Sequence, residues 1–342
     1  MRTLLTGANG LIGANLVRDL LSQGQQVRVY LRSAGPHPTL EGLPVEKVIG
    51  TLKDRKTLTR ALEGCDGVYH LAGAYETGAL AFARMYECFI KGTETVAEAM
   101  LDVCVQRLVL CSSSITLPFG DKHHPAREDD LDPFGAAGPP YPGALKAYYD
   151  LRIQQEALGR RYLDRGLEVV IVNPDFVLGA YDSKPSSGAI ILQVARMPWL
   201  PVVPPGGKSF IHARACAEGH RLAFERGRPG ERYLLGDHNL SYLEALREIA
   251  EVVGRPRPRR SLPVELMGVA GGLEKLVASW LPAGKDLSAR LGSTFIGRYR
   301  SPEKARRELG LRSVPFRDAV EEAWDWFQAQ GYTRPRTSSP VT

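Results

Sequence analysis

Three glycines set three apart near the start of the chain constrain its fold more than any other feature. Arg2-Thr3-Leu4-Leu5-Thr6 is a short β-favouring run. Gly7-Ala8-Asn9-Gly10-Leu11-Ile12-Gly13 interrupts it, and an amphipathic run follows from Ala14 to Gln23. That order predicts strand, glycine-rich turn and helix. A turn of this kind leaves backbone N–H groups without partners at the helix start, where they can hold a pyrophosphate. Glycine lets the chain turn tightly and lets phosphate oxygens approach the backbone. Gly7, Asn9, Gly10, Leu11, Ile12 and Gly13 are therefore the expected phosphate cradle.

Strand and helix patterns alternate downstream. Gln26–Leu31, Val45–Ile49, Gly67–Gly73, Arg107–Cys111 and Leu167–Val172 read as strands. Asp54–Leu62, Ala79–Val105 and Ala144–Arg165 read as helices, the first capped by Asp54. Repeated units of this kind give an α/β fold with a doubly wound parallel sheet. The second strand ends at Arg32-Ser33, where an acidic residue would bind the ribose hydroxyl of NAD. With no Asp or Glu there, Arg32 suits the extra phosphate of NADP, and NAD is the alternative.

At 342 residues the chain is long enough for a full core in one large domain or two smaller ones. A net charge of +6 suits an anionic cofactor. The basic run Arg255-Pro-Arg257-Pro-Arg259-Arg260 lacks interleaved aromatics and argues against nucleic acid. His123 and His124 have no ligand partners at metal spacing, so no metal is expected. The five cysteines include no C-x-x-C pair and read as buried thiols of a cytoplasmic protein. Leu262–Leu281 is interrupted by Glu265, Glu274 and Lys275, so membrane insertion is not expected.

Thr6-Gly7-x-x-Gly10-x-x-Gly13, His70-Leu71-Ala72-Gly73, Gly92-Thr93-x-x-Val96 and Asn173-Pro174-x-x-Val177-x-Gly179 resemble motifs of the extended short-chain dehydrogenase/reductase superfamily. The closest likeness is to dihydroflavonol-reductase-like and NAD-dependent epimerase-like members. The resemblance implies a Rossmann domain over residues 1–178, completed by parts of 208–236. It also implies a smaller C-terminal substrate-binding region over 179–332 and a disordered tail over 333–342. Thr51-Leu52 takes the place of an Asp-Leu pair at the adenine. Leu71, Ala72 and Gly73 would lie beneath the cofactor, with His70 as packed structure. Asn173, Pro174 and Phe176 would wall the nicotinamide. Ser186 or Ser187 would cap the next helix, or Ser187 would bind a cofactor phosphate.

The superfamily carries Tyr-x-x-x-Lys on a helix, and four-residue spacing places both side chains on one face. Its lysine holds the ribose and lowers the tyrosine pKa. A glutamate four residues past the lysine matches Glu156, which makes Tyr148 the tyrosine and puts Arg152 in the lysine position. Arginine keeps the charge but cannot release a proton near neutral pH. Phe89 stands where the superfamily has an asparagine that braces the site. Ser114 matches the serine that polarises the substrate carbonyl. Tyr75, Thr116, Leu117, Phe119, Tyr149, Phe176 and Trp199 are candidate substrate linings.

The resemblance thus implies an NAD(P)H-dependent reductase of a small-molecule ketone or aldehyde, apolar or aromatic in character. A nucleotide-sugar epimerase or dehydratase, with Lys208 and Arg214 available for a diphosphate, is the alternative of the same fold. A catalytically degenerate NADP-binding regulatory protein is the alternative of another class. A homodimer packed through Ala79–Val105 and Ala144–Arg165 is expected from the resemblance alone.

Overall fold

The computed structural model describes residues 1–73, 75–131, 139, 141, 143–197, 201–263 and 297–333. Trp199, most of the run from Leu262 to Leu281 and the tail from Arg334 lie outside the described residues. The chain opens with β1 (Arg2–Thr6), α1 (Leu11–Ser22), β2 (Gln26–Leu31), β3 (Glu46–Ile49), α2 (Arg55–Leu62) and β4 (Gly67–His70). There follow α3 (Ala81–Tyr86), a π-helical turn (Glu87–Lys91), α4 (Gly92–Asp102), β5 (Arg107–Cys111), α5 (Gly143–Arg161), β6 (Glu168–Pro174) and β7 (Phe176–Leu178). The remainder is α6 (Ala189–Arg196), β8 (Val202–Val203), β9 (Gly207–His212), α7 (Ala213–Arg226), β10 (Arg232–Leu235), β11 (His238–Ser241), α8 (Tyr242–Val252), β12 (Arg260–Ser261), β13 (Gly297–Arg298) and α9 (Phe316–Ala329).

Seven strands form a parallel sheet in the order β10-β6-β5-β4-β1-β2-β3. The order reverses between β1 and β4, and in open sheets of this kind ligands bind outside the carboxyl ends of the strands near such a reversal. One face buries Leu16, Val17 and Leu20 of α1 with Leu222 and Ala223 of α7. The other buries Leu58 and Leu62 of α2, Val96 and Met100 of α4, and Leu158 of α5. Both faces covered explains why the strands read as continuous apolar runs.

A second core lies beyond β6. It packs Ile191 and Val194 of α6, Ile249 of α8, and Val320 and Phe327 of α9 around Phe210 of β9. β9 is central there, bonded to β11, β13 and β7. Among the described residues no helix is long and apolar enough to cross a membrane.

Several boundaries differ from the sequence expectation. The stretch read as one helix over Ala79–Val105 divides at the π-helical turn. Neither Ser186 nor Ser187 caps α6. Gly188 is its N-cap without a side-chain bond. The buried Asp182 carboxylate instead accepts from the Ser186 and Gly188 amides at 2.9 and 3.1 Å. The cysteines are not uniformly buried. Cys65, Cys111 and Cys216 are, Cys88 is half-buried, and Cys104 is exposed in the turn that leads into β5.

Candidate active site

The turn after β1 closes as the glycine spacing requires. Gly7 has φ +75°, and a Cβ there would meet the Leu71 and Ala72 backbone at 2.7 Å. A Cβ on Gly13 would fall 2.2 Å from the Gly7 carbonyl oxygen. Gly10 faces outward and is exposed, and no side chain caps α1. The first turn of α1 holds no acidic residue. The helix start therefore presents donors and a positive dipole end with nothing anionic to satisfy them, which fits a dinucleotide pyrophosphate.

Around this cradle, Asn9 Nδ2 lies 3.5 Å from His37 Nδ1, and the Thr39 hydroxyl donates to the Asn9 carbonyl at 3.2 Å. Leu11 and Ile12 are partly buried against the core. Arg32 is exposed at the end of β2, with no ion pair among the described residues. Thr51 is exposed, its carbonyl taking the Tyr30 hydroxyl at 3.1 Å. Leu52 packs toward α4, close to Gly92.

Tyr148 is half-buried on α5. Its ring meets Phe89 edge-on at 5.7 Å and Tyr75 edge-on at 5.6 Å. Arg152, one turn on, is 7% exposed. Its Cζ lies 4.0 Å from the centre of the Phe89 ring and 5.2 Å from that of Tyr148. Phe89 sits within the π-helical turn, an irregularity frequent at functional sites. Arg152 Nη1 donates to the Cys111 carbonyl at 2.9 Å and to Gln155 Oε1 at 2.7 Å, while Nε is buried without a partner. A methyl group at Gly73 would lie 3.1 Å from Arg152 Nη2.

The arginine therefore ends a buried polar chain. Gln155 Nε2 donates to Thr93 Oγ1 at 2.9 Å, which lies 3.2 Å from His70 Nε2. His70 Nδ1 lies 2.7 Å from Thr6 Oγ1, which accepts from the Ala72 amide at 3.2 Å. Burial, with the Arg152 charge behind it, holds the His70 imidazole down to a pKa of about 3. His70 is a neutral link between the first turn and α5.

Glu156 was expected only to fix the motif's register, but it organises the loops beside Tyr148. This buried carboxylate accepts from Ser112 Oγ and Thr116 Oγ1, both at 2.6 Å, and from Asn173 Nδ2 at 2.8 Å. Thr116, expected on the substrate wall, is buried with its hydroxyl turned onto Glu156 and the Ser113 carbonyl. Asn173 likewise directs its amide to Glu156, Thr116 and the Ser113 carbonyl. Both brace the site from behind. Ser114 is buried in the short turn against α5, and Pro174 is buried at the end of β6. The Ser187 hydroxyl donates to the Val177 carbonyl.

Tyr149 packs on Tyr141 with ring centres 5.5 Å apart, and Phe176 meets Phe210 at 5.4 Å. Phe119 is half-buried near the Arg298 guanidinium, 5.4 Å from its ring centre. Arg298 and Arg300 went unnoticed in the sequence, because the two-residue strand β13 has no periodicity to read. Arg214 is exposed and ion-paired to Glu322 of α9.

Comparison with known proteins agrees with this geometry. Residues 3–236 match the NAD dependent epimerase/dehydratase family. The chain is 31% identical over 338 residues to a protein of Synechocystis sp. that carries the name dihydroflavonol 4-reductase, covering 96% of this chain and 95% of that one. It is 32% identical over 337 residues to sterol demethylase protein B of Methylococcus capsulatus, covering 97% and 99%. A solved nucleoside-diphosphate-sugar epimerase from Pseudomonas aeruginosa superposes with a TM-score of 0.76 at 27% identity, covering 98% and 99%. The glycine cradle, the α5 motif and these matches agree: the chain belongs to the NAD-dependent epimerase/dehydratase family, the extended short-chain dehydrogenase/reductases, and is an NAD(P)-dependent oxidoreductase acting on CH–OH or C=O groups.

Proposed function

We propose that the chain reduces a ketone or aldehyde of apolar or aromatic character with NADPH. In this reading residues 1–178, with parts of 208–236, hold the cofactor, and 179–332 shape the substrate side. The bound dinucleotide supplies the hydride. Tyr148 donates its phenolic proton to the forming alkoxide, and Ser114 hydrogen-bonds the carbonyl oxygen. Arg152, pinned through Nη1, keeps a positive charge beside the Tyr148 ring and leaves its Nη2 edge toward Gly73 for the ribose. Arg32 binds the 2′-phosphate as a charge-assisted pair. The observation that carries the reading is the Tyr148 phenol, wedged between aromatic rings with a buried guanidinium behind it. An aromatic surround favours an apolar carbonyl over a sugar diphosphate.

The experiment follows NADPH absorbance with a panel of aromatic ketones. Tyr148→Phe is expected to lower kcat by about 100-fold or more while cofactor affinity by calorimetry stays near that of the parent. Tight cofactor binding with no turnover of any carbonyl refutes the proposal. Purification with tightly held oxidised cofactor would favour the epimerase or dehydratase alternative, which recycles it.

A further inference from the structure

β9 and β13 run parallel with Lys208 opposite Arg298, so two basic side chains leave adjacent strands on one face. The Lys208 ammonium lies 4.7 Å from the Phe176 ring centre. The Arg298 Cζ lies 4.7 Å from that of Tyr141 and 5.4 Å from that of Phe119. A third cation, Arg300, is already neutralised. Its side chain, 3% exposed, pairs with Asp175 at 3.0 Å and donates to the Leu117 and Pro118 carbonyls.

Lys208 and Arg298 share with Arg300 the longer-range charge of that one Asp175 carboxylate, which favours both cations but is paired directly only with Arg300. Among the described residues neither side chain makes a hydrogen bond or an ion pair, and Arg298 Nε is buried without an acceptor. Burial, and then the Arg298 charge, pull the Lys208 ammonium down to a pKa of about 8. Two partly desolvated like charges side by side are unfavourable unless an anion completes them.

Their aromatic neighbours connect them to segments that carry candidate site residues. Tyr141, under Arg298, packs on Tyr149, the neighbour of Tyr148. Phe176, under Lys208, begins the strand that follows Asn173-Pro174. We infer that Lys208 and Arg298 bind a carboxylate carried by the carbonyl substrate, whose apolar body lies against Phe119, Tyr141 and Phe176. The inference rests on the reductase reading above and names its substrate class: keto acids rather than neutral ketones. The planar guanidinium matches a carboxylate in two-point contact, and the ammonium adds a compact charge. The aromatic walls favour a singly charged carboxylate over a doubly charged phosphate ester, which loses more hydration on entering an apolar surround.

The test compares benzoylpropionate, its methyl ester and the phosphate ester of the matching keto alcohol as NADPH-dependent substrates. The acid is expected to exceed the methyl ester in kcat/KM by about tenfold or more, mainly through KM, because a site built for a charged group rejects its neutral analogue. That ratio is expected to fall toward one in Arg298→Met and Lys208→Met and to survive in part in Arg298→Lys, with cofactor affinity by calorimetry as the check on folding. Equal use of acid and ester, or a ratio that survives Arg298→Met, overturns the inference. Preference for the phosphate ester over the acid overturns it too. If no carbonyl is turned over, the reductase reading fails by itself. Calorimetry of benzoylpropionate on the NADP-loaded protein then decides the subsite: binding lost in Arg298→Met upholds it, and no binding to the parent overturns it.

Discussion

Acid should loosen this protein through His70, and by a calculable amount. The imidazole is fully buried at the end of β4, and both ring nitrogens face threonine hydroxyls. Burial and the nearby Arg152 hold its pKa near 3, against about 6.5 for an exposed histidine. The folded value is the lower one, so the unfolded chain takes up the proton first. The stability contributed is complete above the unfolded pKa and is lost as pH falls toward the folded one. Within that window each pH unit costs about 1.4 kcal/mol, so this one group removes about 2 kcal/mol by about pH 5. His212 and His220, both held near 4 by burial, act in the same direction. Urea denaturation of the parent and of His70→Gln at a series of pH values between about 8 and about 5 isolates the His70 share. The parent's stability is expected to fall more steeply, by the slope of about one extra proton. Parallel slopes for the two proteins would refute the buried neutral histidine and the polar chain built on it.

Two further outcomes bear on the cofactor and on the altered motif. Arg32→Glu should weaken NADPH about tenfold or more while sparing NADH, since it replaces a phosphate partner by a like charge; calorimetry with both cofactors reads this, and an unchanged ratio counts against Arg32 as the selector. Arg152→Lys should lower kcat/KM about tenfold, because one ammonium cannot replace the two Nη1 bonds and the stack on Phe89. A gain in activity instead would mean that the arginine impairs the site.

Much of the frame was legible because its causes are local. The Gly7–Gly13 turn, the Asp54 cap and the apolar strands each declare themselves within a few residues. What escaped depends on distant partners. Thr116 and Asn173 look like site-facing polar residues until the Glu156 carboxylate, far along the chain from Thr116, turns them inward. Ser187 looks like a helix cap until its hydroxyl turns to the Val177 carbonyl, while the Asp182 carboxylate holds the Ser186 and Gly188 amides ahead of the helix. The π-helical turn at Glu87–Lys91 has no periodic signature, and the Lys208–Arg298 pairing arises only when two strands about ninety residues apart come into register.

The position of Cys104 has a practical consequence. It precedes β5 and so lies at the amino edge of the sheet, across the molecule from the glycine cradle. The other thiols are shielded: desolvation raises the pKa of Cys65, Cys88, Cys111 and Cys216. A maleimide tether or fluorophore would therefore attach at one place, and protein immobilised through it would present its catalytic edge outward to the bathing solution.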